Sequence, residues 1–171
     1  MRWTAFAMAG IGLLVVHLAV GALGGPDAAA WLPDPFIWLL LFPVLWGSAA
    51  EAITAAWLLG LLRDLVHPDP FGLHSLMLGC AAFPAWQLRH GFDVERPSAR
   101  ILTAAALACT YAAGLATVRW WMGDAGLGEA AWRALLPIAV TAAAAPWAVR
   151  GLRQLGFLAQ LQKRKRFLGV V

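Results

Sequence analysis

The sequence predicts an all-α polytopic membrane protein, a compact bundle of six transmembrane helices. Three observations carry that expectation. Of the 171 residues, 61% are hydrophobic and only 13% charged, with a mean hydropathy of +0.71, whereas water-soluble domains run nearer half apolar and a quarter charged. The apolar residues fall in runs close to the ~20 residues that cross a bilayer as a helix, and they lack the short alternating segments of an outer-membrane barrel. Finally, the tetrapeptide Pro-Asp-Pro-Phe occurs twice, at Pro33–Phe36 and Pro68–Phe71. Each copy reads as a helix start, with Asp as the N-cap and the following Pro at the first helical position, where its missing N–H costs nothing.

The first span is read over Trp3–Leu23, stopped by Gly24-Gly25-Pro26 and followed by a loop carrying Asp27 and Asp34. Its Met1-Arg2-Trp3 start imitates a signal peptide, but several later spans favour an uncleaved first helix. The apolar stretch from Trp31 to Val66 is too long for one span and only just long enough for two, with Gly47-Ser48 as the turn and Glu51 opening the third span. Acids favour a helix N-terminus, which suits Glu51. Three further spans follow at Gly72–Arg89, Ile101–Trp121 and Glu129–Arg150. Two copies of one helix-start signal on the same face require two spans between them, which completes the count of six.

Charge orients the bundle. Arg89, Arg96 and Arg100 flank one loop, and Arg150, Arg153 and Lys163-Arg164-Lys165-Arg166 follow the last span. The positive-inside rule makes that face cytoplasmic, so both termini are expected inside and Asp69 outside. Residues 1–151 then form one transmembrane domain, and 152–171 a basic amphipathic tail. In that tail Lys163, Arg164, Lys165 and Arg166 are candidates for contact with anionic lipid. The net charge of +4 sits beside apolar spans and is no phosphate groove, so no nucleic-acid partner is expected.

The inward-running spans carry the internal prolines Pro43, Pro84, Pro137 and Pro146, which bend membrane helices. The fifth span is rich in small residues (Ala104–Ala106, Ala108, Ala112–Gly114), which lets helices approach closely in lipid and suggests a central position. Cys80 and Cys109 lie inside apolar runs and read as small buried residues. Trp31, Trp120, Trp121 and Trp147 read as interfacial anchors near span ends.

The polar residues concentrate in Gly60–Leu76, GLLRDLVHPDPFGLHSL. Asp64, His67, Asp69 and His74 are of the types that hold zinc, yet each has a structural duty to hand. Asp69 would cap a helix, His67 would sit in a wet loop, and Asp64 would meet water at a helix end. No metal or cofactor is expected. Arg63 and Asp64 are adjacent, so they point about 100° apart and do not pair on the helix. Ionisable groups in a span are nonetheless functional candidates, and His17 in the first span is expected to bond a neighbouring helix. Gly60 and Gly72 suit close helix approach at the turn. Enzyme motifs are missing: no GxSxG, no HExxH, no phosphate-binding loop, and serine only at Ser48, Ser75 and Ser98. The chain is not expected to be an enzyme.

Within this stretch, Gly60-Leu61-Leu62-x-Asp64, a short break, then Pro70-x-Gly72-Leu73-His74-x-Leu76 resembles the signature of the MreD family of rod shape-determining membrane proteins. Length, span count and the basic tail extend the resemblance over the whole chain. One departure is the break itself, where His67-Pro68-Asp69 replaces the family's small residue or glycine and stiffens the loop.

The resemblance implies a fold similar to the substrate-binding subunits of energy-coupling-factor transporters. It also implies a non-enzymatic scaffold role in the bacterial cell-elongation machinery of the inner membrane, supporting peptidoglycan synthesis and rod shape. The implied partners are an MreC-like bitopic protein, a RodA-type glycosyltransferase with its class B penicillin-binding protein, and, indirectly, MreB filaments. Gly60, Arg63, Asp64, Pro70, Gly72, Leu73 and His74 are the motif residues expected to carry partner binding. The fold similarity supplies a second reading, a vitamin-binding transporter subunit. That reading fits less well, because the chain has no Asn, and its four Gln (Gln87, Gln154, Gln160, Gln162) lie on the cytoplasmic side.

Overall fold

The computed structural model describes residues 3–31, 33–67, 69–123 and 127–154, and all the described elements are helical. They are α1 (Trp3–Trp31), α2 (Pro35–Trp46), α3 (Ala49–Asp64), α4 (Leu73–Leu88), α5 (Pro97–Met122) and α6 (Leu127–Leu152), with a 3₁₀ turn over Arg89–Gly91. The tail beyond Gln154, including Lys163–Arg166, lies outside the described residues.

Sequential helices fold back on one another. The start of α2 meets the end of α3 through Asp34 and Arg63. Gly60 of α3 faces Ser75 of α4, and Met77 of α4 faces Gly114 of α5. Thr141 of α6 accepts a hydrogen bond from the Asp34 amide at 2.9 Å. The result is an up-and-down bundle with two ends, one holding Asp34, Arg63, His74 and Arg119, the other Glu51, Arg89, Arg100 and Arg153.

Not every expected span has spanning length. Trp3–Leu23, Pro97–Met122 and Ala134–Leu152 are long and apolar enough to cross a membrane. By contrast, α2 has 12 residues and α3 and α4 have 16 each. At 1.5 Å per residue that is ~18 Å and ~24 Å, short of a ~30 Å hydrocarbon core.

The bundle's centre is α2, not the fifth span. Every α2 residue from Phe36 to Trp46 except Trp38 is buried, as expected of a helix that is apolar all round. Small residues on the neighbours make room for it: Ala52, Ala55 and Ala56 on α3, Ala81 and Ala82 on α4, Ala104 and Ala108 on α5. Helix α5 instead has one packed face and one open face bearing Ile101, Leu102, Trp120 and Trp121. Cys80 and Cys109, expected to be buried, are exposed on the outer surface of α4 and α5. An apolar run in a membrane bundle does not mark burial, because lipid-facing positions are apolar too.

Three local expectations also change. The helix α1 does not stop at Gly24-Gly25-Pro26 but continues to Trp31. The first Pro-Asp-Pro-Phe copy behaves as read: Asp34 is the N-cap of α2, its Oδ1 accepting from the Phe36 amide at 3.0 Å, with Pro35 at N1. The second does not. Helix α4 starts later, at Leu73, after Gly72 in the left-handed region at φ 93°, and Asp69 caps nothing. Gly72 is therefore needed for its backbone angle, since a Cβ there would meet open space. The reading of α3 is correct at its start, where Ser48 and Glu51 form a reciprocal capping box.

Candidate functional site

The cap that Asp69 does not supply comes from Asp64, at the last position of α3. Its Oδ1 accepts from the His74 amide at 2.9 Å, and its Oδ2 from the Ser75 amide at 3.2 Å and the Ser75 hydroxyl at 2.5 Å. One carboxylate thus satisfies the free first-turn donors of α4 and brings negative charge to its N-terminus. Asp64 is buried and does not meet water as expected. Gly60, one turn earlier on the same face, makes the contact possible. A Cβ there would lie 2.6 Å from the Ser75 nitrogen and 2.8 Å from the His74 carbonyl oxygen. The expected close approach at Gly60 is present.

Arg63 points the other way, as the helix geometry requires. Its guanidinium pairs with Asp34 across the α2–α3 hairpin and lies over the rings of Phe36 and Tyr111, 5.8 Å and 5.3 Å from their centroids. Asp34 therefore holds both the α2 N-terminus and the α3 C-terminus. His74 is fully buried. Its Nδ1 lies 2.7 Å from the Tyr111 hydroxyl, and its Nε2 lies 3.1 Å from Asp69 Oδ2, close but not aligned as a hydrogen bond. Arg119 of α5 donates to the same Asp69 oxygen at 2.7 Å. The His67 ring packs edge-on against His74 at 4.8 Å, and His17 packs edge-on against Phe36 at 6.5 Å.

The sequence cluster is thus a real spatial cluster. Arg63, Asp64 and His74 gather in it with Asp34, Asp69, Ser75, Tyr111 and Arg119, while Gly60 and Gly72 shape the backbone, Pro70 lies in the turn and Leu73 begins α4. Sequence reasoning missed Asp34 as the partner of Arg63, and missed Tyr111 and Arg119. Tyr111 did leave a signal, being the single tyrosine of the chain, placed in an Ala-rich span.

Chemically, the Ser75 hydroxyl donates to the Asp64 carboxylate, which also holds the His74 and Ser75 amides, while Asp34 and Asp69 are engaged by Arg63 and Arg119. Among the described residues, no group of three or more His, Cys, Asp or Glu is placed to hold a metal ion.

The opposite end holds a second device that the sequence did not disclose. Arg89, expected only as a topological charge, is buried. It donates to the Val44 and Gly47 carbonyls at 3.1 Å and 2.6 Å, capping the C-terminus of α2, and lies over the Trp86 ring at 4.9 Å. Nearby, Glu95 receives both Arg100 and Arg153, at 3.2 Å and 3.1 Å.

A family model described as rod shape-determining protein MreD matches residues 2–155. No curated protein and no solved structure matches the chain.

Proposed function

The chain belongs to the family of rod shape-determining protein MreD, and we propose that it is a non-enzymatic scaffold subunit of the bacterial cell-elongation complex. Involvement in rod shape determination and residence in a membrane follow from the family and from three helices apolar enough to span. The finer reading is that the bundle binds the membrane span of an MreC-like bitopic protein and helps position a RodA-type glycosyltransferase and its class B penicillin-binding protein, with MreB filaments engaged indirectly. Peptidoglycan synthesis at the side wall is what this assembly would support.

The observation that carries the reading is how the cluster uses its polar groups. Asp64, Ser75, His74 and Tyr111 bond to one another or to backbone, and Arg63 and Arg119 pair with Asp34 and Asp69. These contacts fix where the α3–α4 turn stands relative to α2 and α5, which is what a scaffold needs from buried charge. In this reading Gly60, Arg63, Asp64, Pro70, Gly72, Leu73 and His74 support partner binding by holding that turn in place. All six helices lie in the inner membrane, the arginine-rich end is cytoplasmic together with both termini, and Lys163–Arg166 contact anionic lipid. The vitamin-binding alternative has no family match behind it.

The test is co-purification from detergent with an epitope-tagged MreC-like partner, together with cell shape after depletion. Rounded cells and a stoichiometric partner are expected. Isolation of the protein alone with a bound small molecule would overturn the scaffold reading.

A further inference from the structure

The buried part of the polar cluster, around Asp34, Asp64 and His74, sits well inside the tips of the long helices, and Arg119 reaches it from the last turn of α5. Tyr111, level with the first turn of α4, is followed by α5 as far as Met122, a further ~17 Å. Thr141, level with Asp34, lies ~10 Å inside the apolar span that begins at Ala134. His17, level with Phe36, lies ~9 Å inside the span that ends at Leu23. Three independent helices therefore place the starts of α2 and α4, and the end of α3 that packs against both, about 9–17 Å below the level reached by α1, α5 and α6, consistent with the short lengths of α2–α4.

The turn between α3 and α4 is also built inside out. Its charged side chains are turned in: Asp64 is buried, and Arg63 and Asp69 are each only 16% exposed. Its apolar ones face outward, Leu65 at 69%, Phe71 at 71% and Val66 at 37% exposure. A turn in water shows the opposite partition. Irregular backbone at membrane depth is tolerated only where its polar groups are satisfied within the protein. Much of that condition is met here: Asp64 is engaged by three donors, the Val66 and His67 amides donate to the Arg63 carbonyl at 3.1 Å, and the Leu73 amide donates to the Pro70 carbonyl at 3.1 Å, while the buried His67 Nδ1 and Arg63 Nε have no hydrogen-bond partner.

We propose that the α3–α4 turn is sunk into the lipid leaflet at the Asp34 end of the bundle, with Leu65, Val66 and Phe71 in contact with acyl chains. The bilayer beside α3 and α4 is then thinner than beside α1, α5 and α6, a mismatch of the kind that sorts membrane proteins and favours association with short-span neighbours. This rests on the reading that α3 and α4 lie in the membrane.

The test uses the full chain reconstituted in bilayers of 18-carbon phospholipid, with nitroxides at Leu65→Cys, Val66→Cys and Phe71→Cys, each in a Cys80→Ala, Cys109→Ala background. All three positions face outward, so the fold should tolerate them. Collision with oxygen, which concentrates in hydrocarbon, is compared with collision with a water-soluble nickel chelate. At all three sites oxygen collisions should exceed nickel collisions several-fold. Native Cys80, exposed on the middle of α4, is labelled alone as the control. Nickel-dominated collision at positions 65, 66 and 71 with Cys80 in hydrocarbon would overturn the proposal and leave the apolar rim as a surface for a protein partner. Nickel-dominated collision at Cys80 as well would instead overturn the spanning reading of α4.

Discussion

Replacing Gly60 by alanine tests the contact on which the α3–α4 hairpin depends. The new methyl would stand 2.6 Å from the Ser75 nitrogen and 2.8 Å from the His74 carbonyl oxygen. Both are backbone atoms that cannot rotate aside, so the helices must part by roughly 1 Å to restore the ~3.5 Å of a comfortable non-bonded contact. Overpacking of this kind costs about 1–3 kcal/mol. Parting the helices also stretches the three bonds Asp64 makes one turn further on, and a bond to a charged group is worth about 1.5–3 kcal/mol. A net loss of ~3 kcal/mol is the expectation, which for a chain of this size lowers Tm by about 6–12 °C.

The assay is thermal unfolding of the detergent-purified protein, followed by circular dichroism at one fixed heating rate. Other glycines calibrate the result. A Cβ on Gly114 would meet only the flexible Met77 side chain, and one on Gly12 would meet nothing. Gly114→Ala should therefore cost much less, and Gly12→Ala should be neutral or slightly stabilising through helix propensity. If Gly60→Ala melts with the wild type, or no lower than Gly114→Ala, the backbone-contact argument fails.

Asp64→Ala should cost about 3–5 kcal/mol, the cost of leaving buried donors without their charged partner, and a double-mutant cycle with Ser75→Ala should show a coupling above ~1 kcal/mol; additive losses would mean the short bond carries nothing. Arg63→Met alone should be strongly destabilising because it strands Asp34, whereas adding Asp34→Asn, which keeps an N-cap for α2, should recover part of the loss; equal losses in the single and double variants would refute the pairing. Arg89→Met should lower stability by about 2–3 kcal/mol by removing the charged donor from the Val44 and Gly47 carbonyls, the second of which keeps only the Trp86 indole N–H at 3.3 Å, with little change in topology by accessibility labelling. An inverted topology with unchanged stability would make Arg89 a positive-inside charge and no more.

The candidate site was legible in part. That Arg63 and Asp64 diverge follows from adjacency on a helix, and that Asp34 caps α2 follows from the local Pro-Asp-Pro-Phe signal; both held. The same tetrapeptide misled at its second copy. There Asp64 reaches back across the hairpin to the α4 amides, releasing Asp69 to pair with Arg119, fifty positions away. A local motif offers a cap but cannot show that a distant carboxylate has taken the same donors. Burial was misread for a related reason: in lipid, outward and inward positions are both apolar, so Cys80, Cys109 and the small-residue face of α5 gave no hint of which way they point.

By itself, then, the sequence determined the helical membrane class, the six helices of the described residues, the placing of Glu51 at the start of α3 and the family, because these rest on composition, run length, local helix-end chemistry and a short motif. Only the tertiary structure decided that α2 is the centre, that Arg89 caps it, and that the charges of the α3–α4 turn point inward beneath the tips of α1, α5 and α6. Those facts depend on which surfaces meet when helices of unequal length pack together, and residues far apart in the chain share that information.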